Sequence, residues 1–194
     1  MPASYNIAPS QDIAAVRSVD GRRHMALLRW GLVPSWAKAA KTGYRMINAR
    51  AETVADKPSF RTAFRQRRCL IPADGFYEWG QTCNGRQPYH ICMKDRRVFA
   101  FAGIWERWQG DGEVIDSCSI IVTAANETIC PVHDRMPVIV SPHDYTAWLD
   151  PESRDPEAMK PFLRAWPADE METFPVSTRV NRPANNDARC IESL

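Results

Sequence analysis

Apolar and polar positions alternate along this chain only in short bursts, and turn residues interrupt each burst before it grows long. Residues 24–30 (HMALLRW) read as a strand that runs into a Gly-Leu-Val-Pro turn. Residues 35–40 predict a brief helix behind Pro34, residues 44–48 a strand, and residues 59–67 a helix opened by Pro58-Ser59. Strand patterns follow at 69–72, 76–79, 88–93, 98–105 and 117–123, several rich in β-branched or aromatic residues. Asn84-Gly85 and Asp111-Gly112 are hairpin-turn dipeptides between them. A short helix after Asn126, a strand at 138–140, helices at 143–149 and 157–166 and a last strand at 174–177 complete the reading. The polar tail at 180–187 either frays or closes over a pocket.

The 15 prolines and 9 glycines exclude long helices. The order of elements predicts an α+β fold over residues 1–194, a single domain of bent, mostly antiparallel sheets with short peripheral helices. No apolar run approaches the length of a membrane span, and no basic cap precedes an apolar core at the N-terminus. The expectation is a cytoplasmic, monomeric protein without a membrane partner.

Composition changes this picture at two points. The six cysteines (Cys69, Cys83, Cys92, Cys118, Cys130 and Cys190) form no C-x-x-C pair and no ordered spacing with the four histidines. Neither a metal site nor a disulfide framework is expected, no cofactor is implied, and most of these cysteines read as small buried hydrophobes. The net charge of +2 hides an asymmetry. Residues 1–68 hold 13 Lys+Arg against 4 Asp+Glu, and the remainder holds 12 against 19, so the parts carry +9 and −7. A basic face for a polyanion is one reading and a plain solvated face the other.

Three polar islands interrupt apolar stretches: Ile47-Asn48-Ala49-Arg50-Ala51-Glu52-Thr53, Pro72-Ala73-Asp74-Gly75-Phe76-Tyr77-Glu78-Trp79 and Val132-His133-Asp134-Arg135-Met136-Pro137. On a strand Asn48 and Arg50 point the same way, as an amide and a guanidinium suited to an oxygen-rich ligand. The alternative is a solvent-facing edge with Arg50 paired to Glu52. Glu78 shares a face with Phe76, and a carboxylate among aromatics has its pKa raised by desolvation, as an acid or base near neutral pH requires. The alternative points Glu78 at water while Tyr77 and Trp79 fill the core. His133 suits proton transfer, or is a hydrogen-bonded turn residue, and Arg135 adds a phosphate contact if the segment is extended. Trp30 reads as core. Trp36, beside Ser35, Lys38 and Lys41, is the better candidate to stack on an unpaired base.

The order of these segments is more specific than any one of them. Tyr-Asn-Ile-Ala-Pro (5–9), Arg-Trp-Gly-Leu-Val-Pro-Ser-Trp (29–36), Ile-Asn-Ala-Arg-Ala-Glu-Thr (47–53), Arg-Cys-Leu-Ile-Pro-Ala-Asp-Gly-Phe-Tyr-Glu-Trp (68–79), Phe-Ala-Gly-Ile-Trp (101–105), Val-Thr-Ala-Ala-Asn (122–126) and His-Asp-Arg-Met-Pro-Val-Ile (133–139) follow one another. Together they resemble the SOS response-associated peptidase (SRAP) family over nearly the whole chain. The resemblance implies a pseudo-barrel with a basic groove and a DNA-damage protein that covalently traps abasic sites in single-stranded DNA. It implies Asn48, Glu78 and His133 as catalytic residues, and Arg50, Arg135 and Trp36 as DNA-binding ones. Ala37 stands where some members carry a second aromatic.

Family members open Met-Cys-Gly-Arg-Phe, and their cysteine's amine and thiol close a thiazolidine on the abasic aldehyde. This chain reads Met1-Pro2-Ala3-Ser4. A longer active form is one expectation, and a crosslink-deficient single-stranded-DNA-binding module is another. An iminium ion on Pro2 and a peptidase or hydrolase using an internal thiol are lesser ones.

Overall fold

The computed structural model describes residues 3–83 and 85–194, so Pro2 and the Asn84 half of one turn lie outside the described residues. The strands are β1 (Asp12–Val19), β2 (Arg22–Trp30), β3 (Asn48–Arg50), β4 (Arg68–Ala73), β5 (Gly75–Thr82), β6 (Gly85–Met93), β7 (Phe99–Gly110), β8 (Glu113–Ala124), β9 (Arg135–Pro137), β10 (Ile139–Val140) and β11 (Met171–Pro175). Three short helices, α1 (Arg61–Gln66), α2 (Tyr145–Leu149) and α3 (Pro156–Met159), lie between them. No helix among the described residues is long and apolar enough to cross a membrane.

β7, β4, β1, β2 and β8 pair in that order, and β8 pairs back onto β7, so five strands close into a barrel. Closure leaves these strands without an open edge. Most pairings are antiparallel, but β8 runs parallel to both β2 and β3. Alternation sorts the side chains by face. Ile13, Ala15, Leu28, Cys69, Ile71, Phe101, Cys118 and Ile120 fill the barrel interior. The opposite faces carry Leu70, Ala102, Ile104 and Ile121, which pack with Phe64 of α1 and Trp148 of α2 outside it. The interior is narrow at Gly103, where a Cβ would stand 2.7 Å from the Cys69 Sγ.

The second sheet, β11-β6-β5, covers the barrel end at which β7 begins. Phe76 meets Phe101 edge to face at 5.8 Å, and Ile91, Met93 and Met171 extend the interior cluster. Glu78 shares the face of Phe76, whereas Tyr77 and Trp79 sit on the other face under Tyr5, Val176, Val180 and Cys190. The tail at 180–187 is tied down rather than frayed. Asn6 donates to the carbonyls of Val180, Arg182 and Asn185, and Asn186 accepts from the backbone of Tyr5 and Asn6.

Several elements differ from the sequence reading. Residues 35–39 form no helix, because Trp108 takes the Ala37 carbonyl and Ala39 is extended; a 3-10 turn follows at Ala40–Arg45. That turn replaces the expected strand at 44–48, and β3 starts only at Asn48. A backbone approach fixes the place: a Cβ on Gly43 would stand 2.5 Å from the Gly31 carbonyl oxygen. The segment after Asn126 makes turns instead of a helix, with Asn126 capping Ile129 and Pro131 blocking continuation. Pro161 likewise cuts the long predicted helix to α3 and a 3-10 turn. β1 was not legible in the sequence. The Asp111-Gly112 turn has both residues at positive φ, as a two-residue hairpin requires.

Candidate active site

Residues 29–50 leave the barrel wall as β2 ends, cross outside β7 and β8, and return as β3. Along this excursion Trp36 (62% exposed), Lys38, Lys41, Tyr44 (68% exposed), Arg45, Asn48 and Arg50 all face solvent. The four cations make no ion pair among the described residues. They contrast with Arg96, Arg97, Arg107, Arg179 and Arg189, each paired to a carboxylate. The basic surplus of residues 1–68 is thus concentrated in part on one segment that also presents two aromatic rings. Trp36 is exposed, in keeping with its polar neighbours. Tyr44 was missed because its segment read as a strand, and it offers an exposed aromatic that Ala37 does not. Trp30 packs on the barrel interior and donates its Nε1–H to the Ile47 carbonyl, which holds the start of β3.

β3 places Asn48 and Arg50 outward on one face and buries Ala49 between them. Arg50 is not paired to Glu52. Glu52 instead accepts from Arg135 Nη1 at 2.6 Å, so the first and third polar islands are joined. Register explains the meeting, because Arg50 lies opposite Val122 and Arg135 opposite Ala124, two residues apart on β8. The Arg135 guanidinium thus carries one carboxylate through Nη1. Against the opposing effect of burial, a backbone hydrogen bond and then the Arg135 pairing, with the nearby charge of Arg50, hold the Glu52 carboxyl below its ordinary value.

The second and third islands meet at Glu78 and His133, where Nε2 and Oε2 lie 3.9 Å apart. His133 Nδ1 lies 3.1 Å from both the backbone nitrogen and the carbonyl oxygen of Arg135, accepting from the one or donating to the other according to its tautomer, while Nε2 faces Glu78. Asp134 is exposed, 3.5 Å from Nδ1. Glu78 is largely buried, and desolvation raises its pKa above the ordinary carboxylate value, opposed by His133 and aided by Asp134. Asp74, in the bend before β5, acts electrostatically on Tyr77 and His90 instead. A carboxyl with a raised pKa, 3.9 Å from an imidazole, is an arrangement for general acid–base chemistry.

The cysteines give little support to an internal thiol nucleophile. Cys69, Cys92, Cys118 and Cys190 are buried and only Cys83 and Cys130 are exposed. Burial pushes the Cys92 thiol to about 11 and the Cys118 thiol to about 12, and raises that of Cys69 well above its ordinary value.

A closed barrel with a covering sheet, an acid–imidazole pair and a segment of unpaired cations and exposed rings describes a protein suited to acid–base chemistry on a polyanion. The family model described as SOS response associated peptidase (SRAP) matches residues 1–183, and the chain belongs to that family. It is similar to the abasic site processing protein YoqW of Bacillus subtilis, 45% identical over 192 residues, covering 98% of this chain and 86% of that one. The abasic site processing protein HMCES of Xenopus tropicalis is 29% identical over 224 residues, covering 98% of this chain and 66% of its own. The fold matches a crystal structure of a protein from Bacteroides thetaiotaomicron with a TM-score of 0.86 at 28% identity, over 95% of this chain and 82% of that one.

Proposed function

We propose that this protein processes abasic sites in single-stranded DNA as part of a DNA-damage response. The observation that carries the reading is the convergence of the three islands: Glu52–Arg135 joins the first to the third, and Glu78–His133 joins the second to the third. Names borne by the relatives supply the substrate, since they are abasic site processing proteins.

In this reading the unpaired cations from Lys38 to Arg50 hold the phosphates, and Trp36 and Tyr44 stack on flanking bases. Asn48 hydrogen-bonds the sugar end. An abasic deoxyribose is mostly a closed hemiacetal and must open to expose its aldehyde. Glu78 gives its proton to the ring oxygen as the anomeric C–O bond breaks, and takes back the proton of the anomeric hydroxyl. His133, when protonated, donates toward the carboxylate stage from Nε2. Thiazolidine closure needs an α-amine and a thiol on one residue, and the nitrogen of each of the six cysteines here is in a peptide bond. The steps assigned to the residues of this chain are therefore DNA holding, sugar opening and proton transfer.

The test is Glu78→Gln in a form of the protein that presents a free N-terminal cysteine, assayed by denaturing gel for covalent capture of an abasic oligonucleotide and by anisotropy for binding. Capture or its reversal should slow by about 10²-fold or more while binding is retained, the scale of a lost general acid. Unchanged rates would remove Glu78 from the mechanism. A protein that binds but never captures would leave the binding-module reading in its place.

A further inference from the structure

We infer that the barrel mouth away from the second sheet is a binding site for a phosphate group. There the interior-facing positions turn from apolar to charged. Arg17 continues the face of Ile13 and Ala15, Trp105 and Arg107 continue that of Phe101, and Asp116 continues that of Cys118. An open cleft of about 610 Å³ is lined by Arg17, Trp105 and Arg107 of these, and also by Val19, Ser35, Arg67, Glu106 and Gln109. Barrel mouths are a common location for small-molecule sites.

The balance of charge selects the ligand. Arg67 is matched by Glu106, with nitrogen–oxygen distances of 2.6 and 3.1 Å. Arg107 takes both oxygens of Asp116, at 2.7 and 2.8 Å. Arg17 then shares an oxygen that Arg107 already uses, at 2.9 Å, so three guanidinium groups face two carboxylates and one positive charge is uncompensated. The Arg17 Nε is buried without a hydrogen-bond partner, and its guanidinium is held over the Trp105 ring at 4.2 Å. Ser35 and Gln109, also on the cleft wall, make no side-chain hydrogen bond among the described residues. A compact anion accepting several hydrogen bonds fits a cleft with surplus donors and surplus positive charge, and phosphate is that chemistry.

The phosphate has two possible sources, a free nucleotide or polyphosphate and the backbone of a DNA strand. Asp116 lies six residues before Val122 on β8, which places the cleft about 20 Å along the strand from the level of Arg50. Ser35 on the cleft wall adjoins the exposed Trp36, so a strand held at Arg50 can continue toward it.

The test uses the full chain, wild type and Arg107→Gln, titrated by calorimetry with inorganic pyrophosphate and with long and short undamaged single-stranded oligonucleotides. Arg107 is more than half exposed, and its removal lets Asp116 pair with Arg17 alone, so the fold survives while the surplus charge disappears. Ser35→Ala is the second variant and removes a donor without touching charge. Loss of about tenfold or more in pyrophosphate affinity identifies a free-phosphate site. The same loss for the long strand but not the short one identifies a DNA-backbone subsite. Wild-type affinity of both variants for every probe, or no pyrophosphate binding together with unchanged strand binding, overturns the proposal. Because undamaged DNA and pyrophosphate are the probes, this outcome is independent of abasic-site processing.

Discussion

Replacing Arg50 by Gln removes one of four exposed cations, Lys38, Lys41, Arg45 and Arg50, that are free of ion pairs on the segment leading into β3. If each neutralises one phosphate of a single strand, the released counterions give log K a slope of about −0.7 per contact against log salt. This row alone then contributes about −2.8, and Arg50→Gln should reduce the slope to about −2.1. At ~0.1 M salt that difference corresponds to about a fivefold loss of affinity. Glu52→Gln supplies the opposite sign. It releases Arg135 from its 2.6 Å ion pair, and a freed guanidinium adds one phosphate contact, steepening the slope by about 0.7. Fluorescence anisotropy of a labelled undamaged strand, titrated at a series of salt concentrations, reads both changes directly. The effect should be the same for strands of different sequence, because a phosphate contact carries no base information. A slope unaltered in Arg50→Gln, or a loss confined to one sequence, refutes the phosphate role. A shallower slope in Glu52→Gln would show that the ion pair positions Arg135 for DNA rather than withholding it.

The raised Glu78 pKa has a stability consequence. The folded state binds this proton more tightly than the unfolded chain, so stability is lost as pH rises from the unfolded carboxyl value of about 4.3 through the folded one. Glu78→Gln lacks that loss and should be more stable than wild type near neutral pH, with the gain shrinking in acid; a pH-independent difference in melting temperature would contradict the assignment. Gly103→Ala should destabilise the protein by about 1–3 kcal/mol in denaturant unfolding, because the new Cβ meets the Cys69 Sγ at 2.7 Å inside a closed barrel. Wild-type stability of that variant would mean that the interior has slack at this level.

How much of this was legible in the chain depends on whether the controlling physics is local. The strands at β2, β4 to β8 and β11 carried β-branched and aromatic runs bounded by turn residues, and these signals are contained in a few neighbouring positions. Asn48 and Arg50 outward with Ala49 inward, and Glu78 on the face of Phe76, follow from the two-residue period of a strand alone. The exposure of Trp36 followed from its polar neighbours. The α+β class and the family motifs were likewise present in the order of segments.

Tertiary structure decided what depends on distant partners. Whether residues 35–39 became a helix turned on Trp108 taking the Ala37 carbonyl, 71 positions away, and the 3-10 turn at Ala40–Arg45 turned on Gly31 meeting Gly43. Arg50 paired to Glu52 was as reasonable in sequence as Arg135 paired to Glu52, and only the side-by-side placement of β3, β8 and β9 chose the second. The Glu78 carboxyl became an acid with a raised pKa because the assembled fold takes it largely out of water, an effect that the neighbouring His133 opposes, and burial is a property of the whole fold. The charged far mouth was invisible for the same reason: Arg17, Arg67, Arg107 and Asp116 come from separate strand ends that only barrel closure brings together. Local alternation determines which way a side chain points, whereas pairing of strands far apart in sequence determines what it meets.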